Sequence, residues 1–177
     1  MKKYEFTGET KEIRLLFRTA TLHRIRATVA FGIVEVGDLG GWIEKEENLS
    51  HEGKAWVCGD AEVWGNAKVW GNAEVWGNAK VCGDAKVWGN AEVFSASHVL
   101  VIGAIGSRND FTTFYRDKDN EITVKCGCFL GKIDRFLEKV TQTHGDSKYA
   151  LVYRAAVEVA KLQIDLSGEA PKDADEE

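Results

Sequence analysis

The sequence predicts a mainly-β chain organised around a short parallel coil of six-residue units. Three observations lead there. Residues 51 to 98 read as eight hexads in a row, HEGKAW, VCGDAE, VWGNAK, VWGNAE, VWGNAK, VCGDAK, VWGNAE and VFSASH. Valine opens each following unit (Val57, Val63, Val69, Val75, Val81, Val87, Val93, Val99), and alanine holds the fifth position from Ala55 to Ala91. Glycine followed by Asn or Asp recurs between them, as at Gly71-Asn72. A six-residue period fits neither an isolated helix nor an alternating flat sheet, whereas three hexads can make one triangular coil.

Within a unit such as Ala67-Lys68-Val69-Trp70, four residues can be extended, and alternation sends Ala and Val inward and Lys and Trp outward. Gly-Asn and Gly-Asp suit a corner of positive φ. A helix would carry a glycine every six residues, at about 1 kcal/mol each. Residues eighteen apart then share a side: Cys58, Trp76 and Phe94 on one, Trp64, Cys82 and Leu100 on the second, Trp70 and Trp88 on the third. Outward charges stack as Glu62–Lys80–His98, Lys68–Lys86 and Glu74–Glu92, and only the first ladder pairs opposite signs. Fewer than three coils give a rod of about 13 Å, at about 4.8 Å per coil, whose open ends need caps or partners.

The unit resembles the hexapeptide repeat of left-handed parallel β-helices: an aliphatic residue, a small or acidic one, two free positions, a small residue and another free position. Trp or Cys at the second position departs from it. The left hand is what the resemblance implies, against the usual right-handed crossover. It covers about residues 51–104. The stretches LHRIRA…GDLGGWIEKEENLS and IGSRNDFTTFYRDKDNEITVKCGCFLGKIDRFLEKVTQTHGDSKYALVY resemble, in addition, a phage- and prophage-type group of hexapeptide-repeat proteins with a C-terminal α+β extension, to which no established reaction attaches.

Hydrophobic content of 44% is that of an ordinary globular chain, and no apolar run or signal-peptide pattern points to a membrane or export. A cytoplasmic location is the expectation. The four cysteines form no disulfide framework, and Cys58 and Cys82 fall on different sides of the coil. The net charge is −5, of which −4 sits in residues 167–177. A strongly basic nucleic-acid binder is not indicated.

In residues 1–50 we expect a β-rich N-terminal cap. Tyr4-Glu5-Phe6-Thr7 reads as a short strand and Ile13–Ala30 as one or two more. Arg14, Arg18, Arg24 and Arg26, with His23, form either a basic strip for phosphate or an acidic partner, or a solvated strand face. The glycines at 37, 40 and 41 mark turns but lack the Lys-Ser/Thr of a phosphate loop. Trp42 and Ile43 would cover the open end of the first coil, with Leu49 leading into it. The β-helix proper is expected over 51–105, Val99–Ile105 closing its last coil.

Residues 106–166 read as an α+β extension. Phe111–Arg116 and Glu121–Lys125 flank a turn and make a β-hairpin. Ile133, Phe136, Leu137 and Val140 give one face of a helix over Lys132–Thr143, with His144 at its negative end and Gly145 as its stop. Asp146 or Ser147 can cap a second helix running to about Leu166 and pairing with the first. The acidic tail 167–177, with Pro171, reads as disordered.

For chemistry, Cys126, Cys128 and His144 supply three metal ligands in a spacing unlike the zinc patterns, so no metal and no cofactor is expected. The resemblance implies that enzymes deserve a test. The carbonic anhydrase version needs a triad of histidines that His23, His51, His98 and His144 do not form. The acyltransferase version needs a catalytic His beside a subunit cleft. No placed general base is visible. The outward Trp64, Trp70, Trp76 and Trp88 would leave apolar patches that the chain's own ends or a partner must cover. These tryptophans, with Arg14, Arg18, Arg24, Arg26 and Arg108, are the candidate contact residues. The expectation is a non-enzymatic interaction protein, a homo-oligomer (the resemblance implies trimers; dimers fit as well) with a protein partner, in a host-interaction or counter-defence role. The alternatives are a hexapeptide-class acyltransferase, or a binder of nucleotides or small phosphorylated ligands using the strip with Arg108 and Arg116.

Overall fold

The computed structural model describes residues 2–16 and 18–167. The tail expected to be disordered lies, apart from Ser167, outside the described residues. The chain opens with a long antiparallel hairpin, β1 (Tyr4–Arg14) and β2 (Thr19–Ala27), followed by β3 (Leu39–Ile43). The first strand thus runs well past Thr7. A register shift between Phe6 and Thr10, around Gly8, absorbs the polar stretch that hid it in the sequence. In β2, Ala20 and Leu22 and then Ile25 and Ala27 are buried, the alternation changing phase across His23 and Arg24.

The repeat supplies seven strands of two residues each: β4 (Trp56–Val57), β5 (Glu62–Val63), β6 (Lys68–Val69), β7 (Glu74–Val75), β8 (Lys80–Val81), β9 (Lys86–Val87) and β10 (Glu92–Val93). They pair in parallel eighteen residues apart, β4 with β7, β7 with β10, β5 with β8, and β6 with β9. Every valine from Val57 to Val93 and every alanine from Ala55 to Ala91 is buried. The last segment is an antiparallel meander, β11 (Val99–Ile105), β12 (Asp110–Arg116), β13 (Ile122–Cys126) and β14 (Phe129–Lys132), then α1 (Ile133–His144) and α2 (Lys148–Gln163).

This corrects the expectation of a mainly-β, left-handed parallel β-helix. The strands fall into small separate sheets, one mixed, two parallel and one antiparallel, with two helices beside them, and no sheet closes or continues as a solenoid. Ladder length is one physical reason. Each unit contributes two residues before a glycine at φ between 60° and 72° turns the chain away. The flanks are the other. β3 lies parallel to β5 but antiparallel to β2, so the N-terminal hairpin makes one ladder a mixed five-stranded sheet. At the far end Val99–Ile105 closes no coil; it leaves the repeat to pair antiparallel with β12.

Trp42 and Ile43 likewise add a strand beside Glu62 and Val63 rather than a lid, and Leu49 bridges to Val69. The ladders Lys68–Lys86 and Glu74–Glu92 form, and Glu62 stands beside Lys80 while pairing with Lys11 at 2.8 Å. His98 does not join that ladder. It is buried in a short 3-10 turn, Ala96–His98, where its Nδ1 accepts from the Phe94 N–H at 3.4 Å. Trp56 occupies a position where later units carry Glu or Lys, and it is core: the rings of Tyr4 and Phe31 lie 6.4 and 5.4 Å away.

Two hydrophobic cores result. One is filled by the repeat and the N-terminal hairpin. The other lies between the antiparallel sheet and the helices, around Phe114, Phe136 and Val157. Strand β12 is shared. Phe114 faces the helical core and Tyr115 the repeat core, where its hydroxyl donates to the Trp88 carbonyl at 2.8 Å. Buried Asp117 fixes the turn between β12 and β13, accepting from the Asp119 and Glu121 N–H groups, the Thr123 hydroxyl and the Lys132 ammonium.

Burial, then the positive charge of Arg116, hold the His98 imidazole below its ordinary 6.5, with Asp165 opposing. The unfolded chain takes this proton more readily, so stability is full above the ordinary histidine range and is lost as pH falls below it. We expect a lower urea midpoint at pH 5 than at pH 7, with part of that loss removed in His98→Gln. His51, lowered by its own burial, retains a share. An unchanged pH slope in the variant contradicts this account.

Candidate functional site

A cleft of about 450 Å³ opens on the helical side of the antiparallel sheet. Three segments build it: the loop from Gly106 to Asn109 between β11 and β12, the Gly127-Cys128 turn between β13 and β14, and the face of α1 carrying Phe136, Lys139, Val140, Thr143 and His144. Tyr153 of α2 closes the back. The loop can pass this close only because residue 106 is glycine: a Cβ there would meet the Tyr153 Oη at 1.9 Å, and its φ is 72°.

The wall is aromatic. The ring of Phe136 lies edge-on to Tyr153 at 5.5 Å and 5.3 Å from Phe129, while His144 stacks on Tyr153 at 5.8 Å. Behind it, the Thr112 hydroxyl donates to the Cys126 sulfur at 3.3 Å, and the Cys126 thiol donates to the Tyr153 oxygen at 3.8 Å. Burial, and then the nearby Cys126 sulfur, push the Tyr153 hydroxyl up to about 12. Charge sits at the rim. Arg108 and Lys139 line the mouth, and neither makes a hydrogen bond or ion pair with a described residue. Asp110, the single carboxylate among the described residues that line the cleft, accepts from the Phe111 N–H at 2.7 Å.

Of the sequence candidates, the structure gathers Arg108, Cys126, Cys128 and His144 around this cleft and leaves the rest elsewhere. Among the described residues, no group of three or more His, Cys, Asp or Glu side chains could hold a metal. The arginine strip belongs to the N-terminal hairpin, and two of its four arginines pair with carboxylates of the chain. Arg18 makes a bidentate pair with Glu44, whose carboxyl it holds below its usual range, and Arg26 pairs with Glu5 at 2.6 Å. Arg24 lies over the Trp42 ring at 5.2 Å, and Arg14 is exposed at the end of β1. Arg116 is buried against the Phe94 ring at 4.5 Å, away from the cleft residues.

The tryptophans do not share one surface. Trp64 and Trp76 are half-buried, and Trp76 packs edge-on to Phe94 at 5.6 Å. Trp70 and Trp88, eighteen residues apart, meet edge to face at 5.1 Å with Lys68 over the first and Lys125 over the second, and Trp88 is 36% exposed. Among the histidines, His51 stacks on Tyr4 and accepts from the Lys3 N–H, His98 is buried, and His144 lines the cleft.

Sequence reasoning missed Tyr153, Phe136 and Lys139 as cleft residues. Phe136 reads as a core position on its helix, and both it and Tyr153 are core as well as cleft residues. Lys139 carries no signal of its own. No protein-family model matches the chain, and no curated protein is similar to it. Among the described residues, no helix is long and apolar enough to cross a membrane.

Proposed function

We propose that this is a non-enzymatic binding protein whose cleft takes a small planar anion of the nucleoside-phosphate class. One observation carries the reading: two cations without an ionic partner among the described residues line a cleft walled by Phe129, Phe136, His144 and Tyr153. Its volume lies within the range of small-molecule sites. Aromatic faces stack bases irrespective of sequence, and a guanidinium grips phosphate with two parallel hydrogen bonds. The ligand therefore enters base first, with its phosphate left at Arg108 and Lys139. The resemblance to phage-type proteins would set this binding in a host-interaction or counter-defence context.

Isothermal titration of the full chain with AMP tests it. AMP is expected to bind, inorganic phosphate to bind far more weakly, and Arg108→Ala to lower AMP affinity at least about tenfold, about 1.4 kcal/mol, with an unchanged circular dichroism spectrum. No heat with AMP, GMP, CMP or UMP contradicts the proposal. A second reading rests on the half-open Trp70–Trp88 pair, a surface suited to a protein contact. Trp88→Ala separates the two, because it leaves AMP affinity unchanged when the cleft is the site.

A further inference from the structure

The loop that carries Arg108 leads straight into the cleft's carboxylate, and the backbone sets the two charges at different depths. Ile105 and Asp110 are the last paired residues of β11 and β12. Gly106–Asn109 spans them as a tight turn, the Gly106 carbonyl accepting from the Asn109 N–H at 3.4 Å. Arg108 therefore stands exposed at the tip of the loop, and Asp110 half-buried at its root. The two do not pair. The Arg108 guanidinium reaches instead over the next turn, its Nη1 3.4 Å from where a Cβ on Gly127 would sit. Asp110 Oδ1 accepts from the Phe111 N–H at 2.7 Å, and no described residue bonds or pairs with the other oxygen. The Tyr153 hydroxyl responds to both charges, Arg108 pulling its pKa down and Asp110 pushing it up, so the carboxylate lies within reach of the aromatic wall.

A site that only grips phosphate has no use for a carboxylate. The carboxylate repels the anion, and as an acceptor-only group it recognises nothing but donors. A nucleotide that enters base first presents such donors at the right depth. Its ribose lies between the base on the aromatic wall and the phosphate at Arg108 and Lys139. We infer that Asp110 reads the ribose: its free oxygen accepts from the 2′- or 3′-hydroxyl, so the cleft selects nucleotides that carry these hydroxyls over those that lack them. This rests on the nucleoside-phosphate reading of the cleft and adds to it the sugar as a point of selection. Acidic side chains meet ribose hydroxyls in the same way in dinucleotide-binding folds, and an ionised acceptor makes the stronger bond. A site built to bond a hydroxyl rejects the analogue without it, because its own acceptor is then left unpaired.

Isothermal titration of the full chain with AMP, 2′,3′-dideoxy-AMP and IMP tests the assignment. AMP is expected to bind at least about tenfold more tightly than the dideoxy nucleotide. IMP, which keeps the ribose and lacks the base amine, is expected to bind like AMP. Asp110→Asn keeps an oxygen for the Phe111 N–H and sets an NH2 in place of the other oxygen. This variant is expected to bring AMP down to the dideoxy level and to leave the dideoxy affinity no lower, a pattern that damage to the loop would not give. Equal affinities of the unaltered chain for AMP and the dideoxy nucleotide overturn the inference and leave the cleft reading standing. So does a preference for AMP that survives in Asp110→Asn. A loss with IMP and none with the dideoxy nucleotide assigns the carboxylate to the base amine and overturns the inference as well. No binding of any of the three overturns the cleft reading and this inference with it.

Discussion

A chain carrying Val75→Asp is expected to lose its cooperative thermal transition. Val75 is fully buried at the middle of the three-stranded parallel sheet, paired with Val57 on one side and Val93 on the other. Its neighbours in the core are valines and alanines of other units, so a carboxylate there meets no donor. An uncompensated buried charge costs several kcal/mol, against a total stability of about 5–15 kcal/mol for a domain. Val75→Ala changes only volume and should cost about 2 kcal/mol while folding. A native-like melting curve for Val75→Asp would mean that the repeat valines do not share one interior.

Tyr115→Ala is expected to be the next most damaging change. The ring is fully buried, and its hydroxyl ties β12 to the Trp88 carbonyl of the repeat. Removing a buried aromatic costs about 3–5 kcal/mol, and the abandoned carbonyl adds about 1–3. In a chain of this size, that is a drop of about 10 °C or more in melting temperature. Tyr115→Phe removes the hydrogen bond alone and should fall by much less. Equal losses in the two variants would place the coupling between the cores in the hydroxyl, and no loss in either would show that the cores do not depend on this contact.

What could be read from residues alone follows the reach of each interaction. The inward valines, the eighteen-residue pairing and the two helices are local or periodic, and each leaves a signal in the spacing. The sheet architecture does not. Nothing in the hexads says that Trp42-Ile43 would join one ladder while Ala20 to Ala27 turn it antiparallel, and the resemblance to a left-handed β-helix hid this. Val99–Ile105 is apolar enough to close a coil or to start a new sheet; its partner Asp110–Arg116, not its own sequence, decides. Trp56 was the one visible clue to coverage, an indole where later units place Glu or Lys.

The cleft was legible only in pieces. Arg108, Cys126, Cys128 and His144 stand out as unusual residues, but they lie on a loop, a turn and a helix end that only the packing of Tyr153 against Gly106 draws together. The arginines of the N-terminal hairpin gave a stronger sequence signal, yet Arg18 and Arg26 pair with Glu44 and Glu5, partners that lie after β3 and across the hairpin and that spacing did not reveal.

The location of the ligand is the most direct test of the proposed function. Hydrogen exchange of the full chain, with and without saturating AMP, is expected to slow in residues 106–110, in the turn 126–129 and in the last turns of α1, and to leave residues 68–72 and 86–90 unchanged. Protection confined to the Trp70–Trp88 face, or no change anywhere, would contradict the assignment.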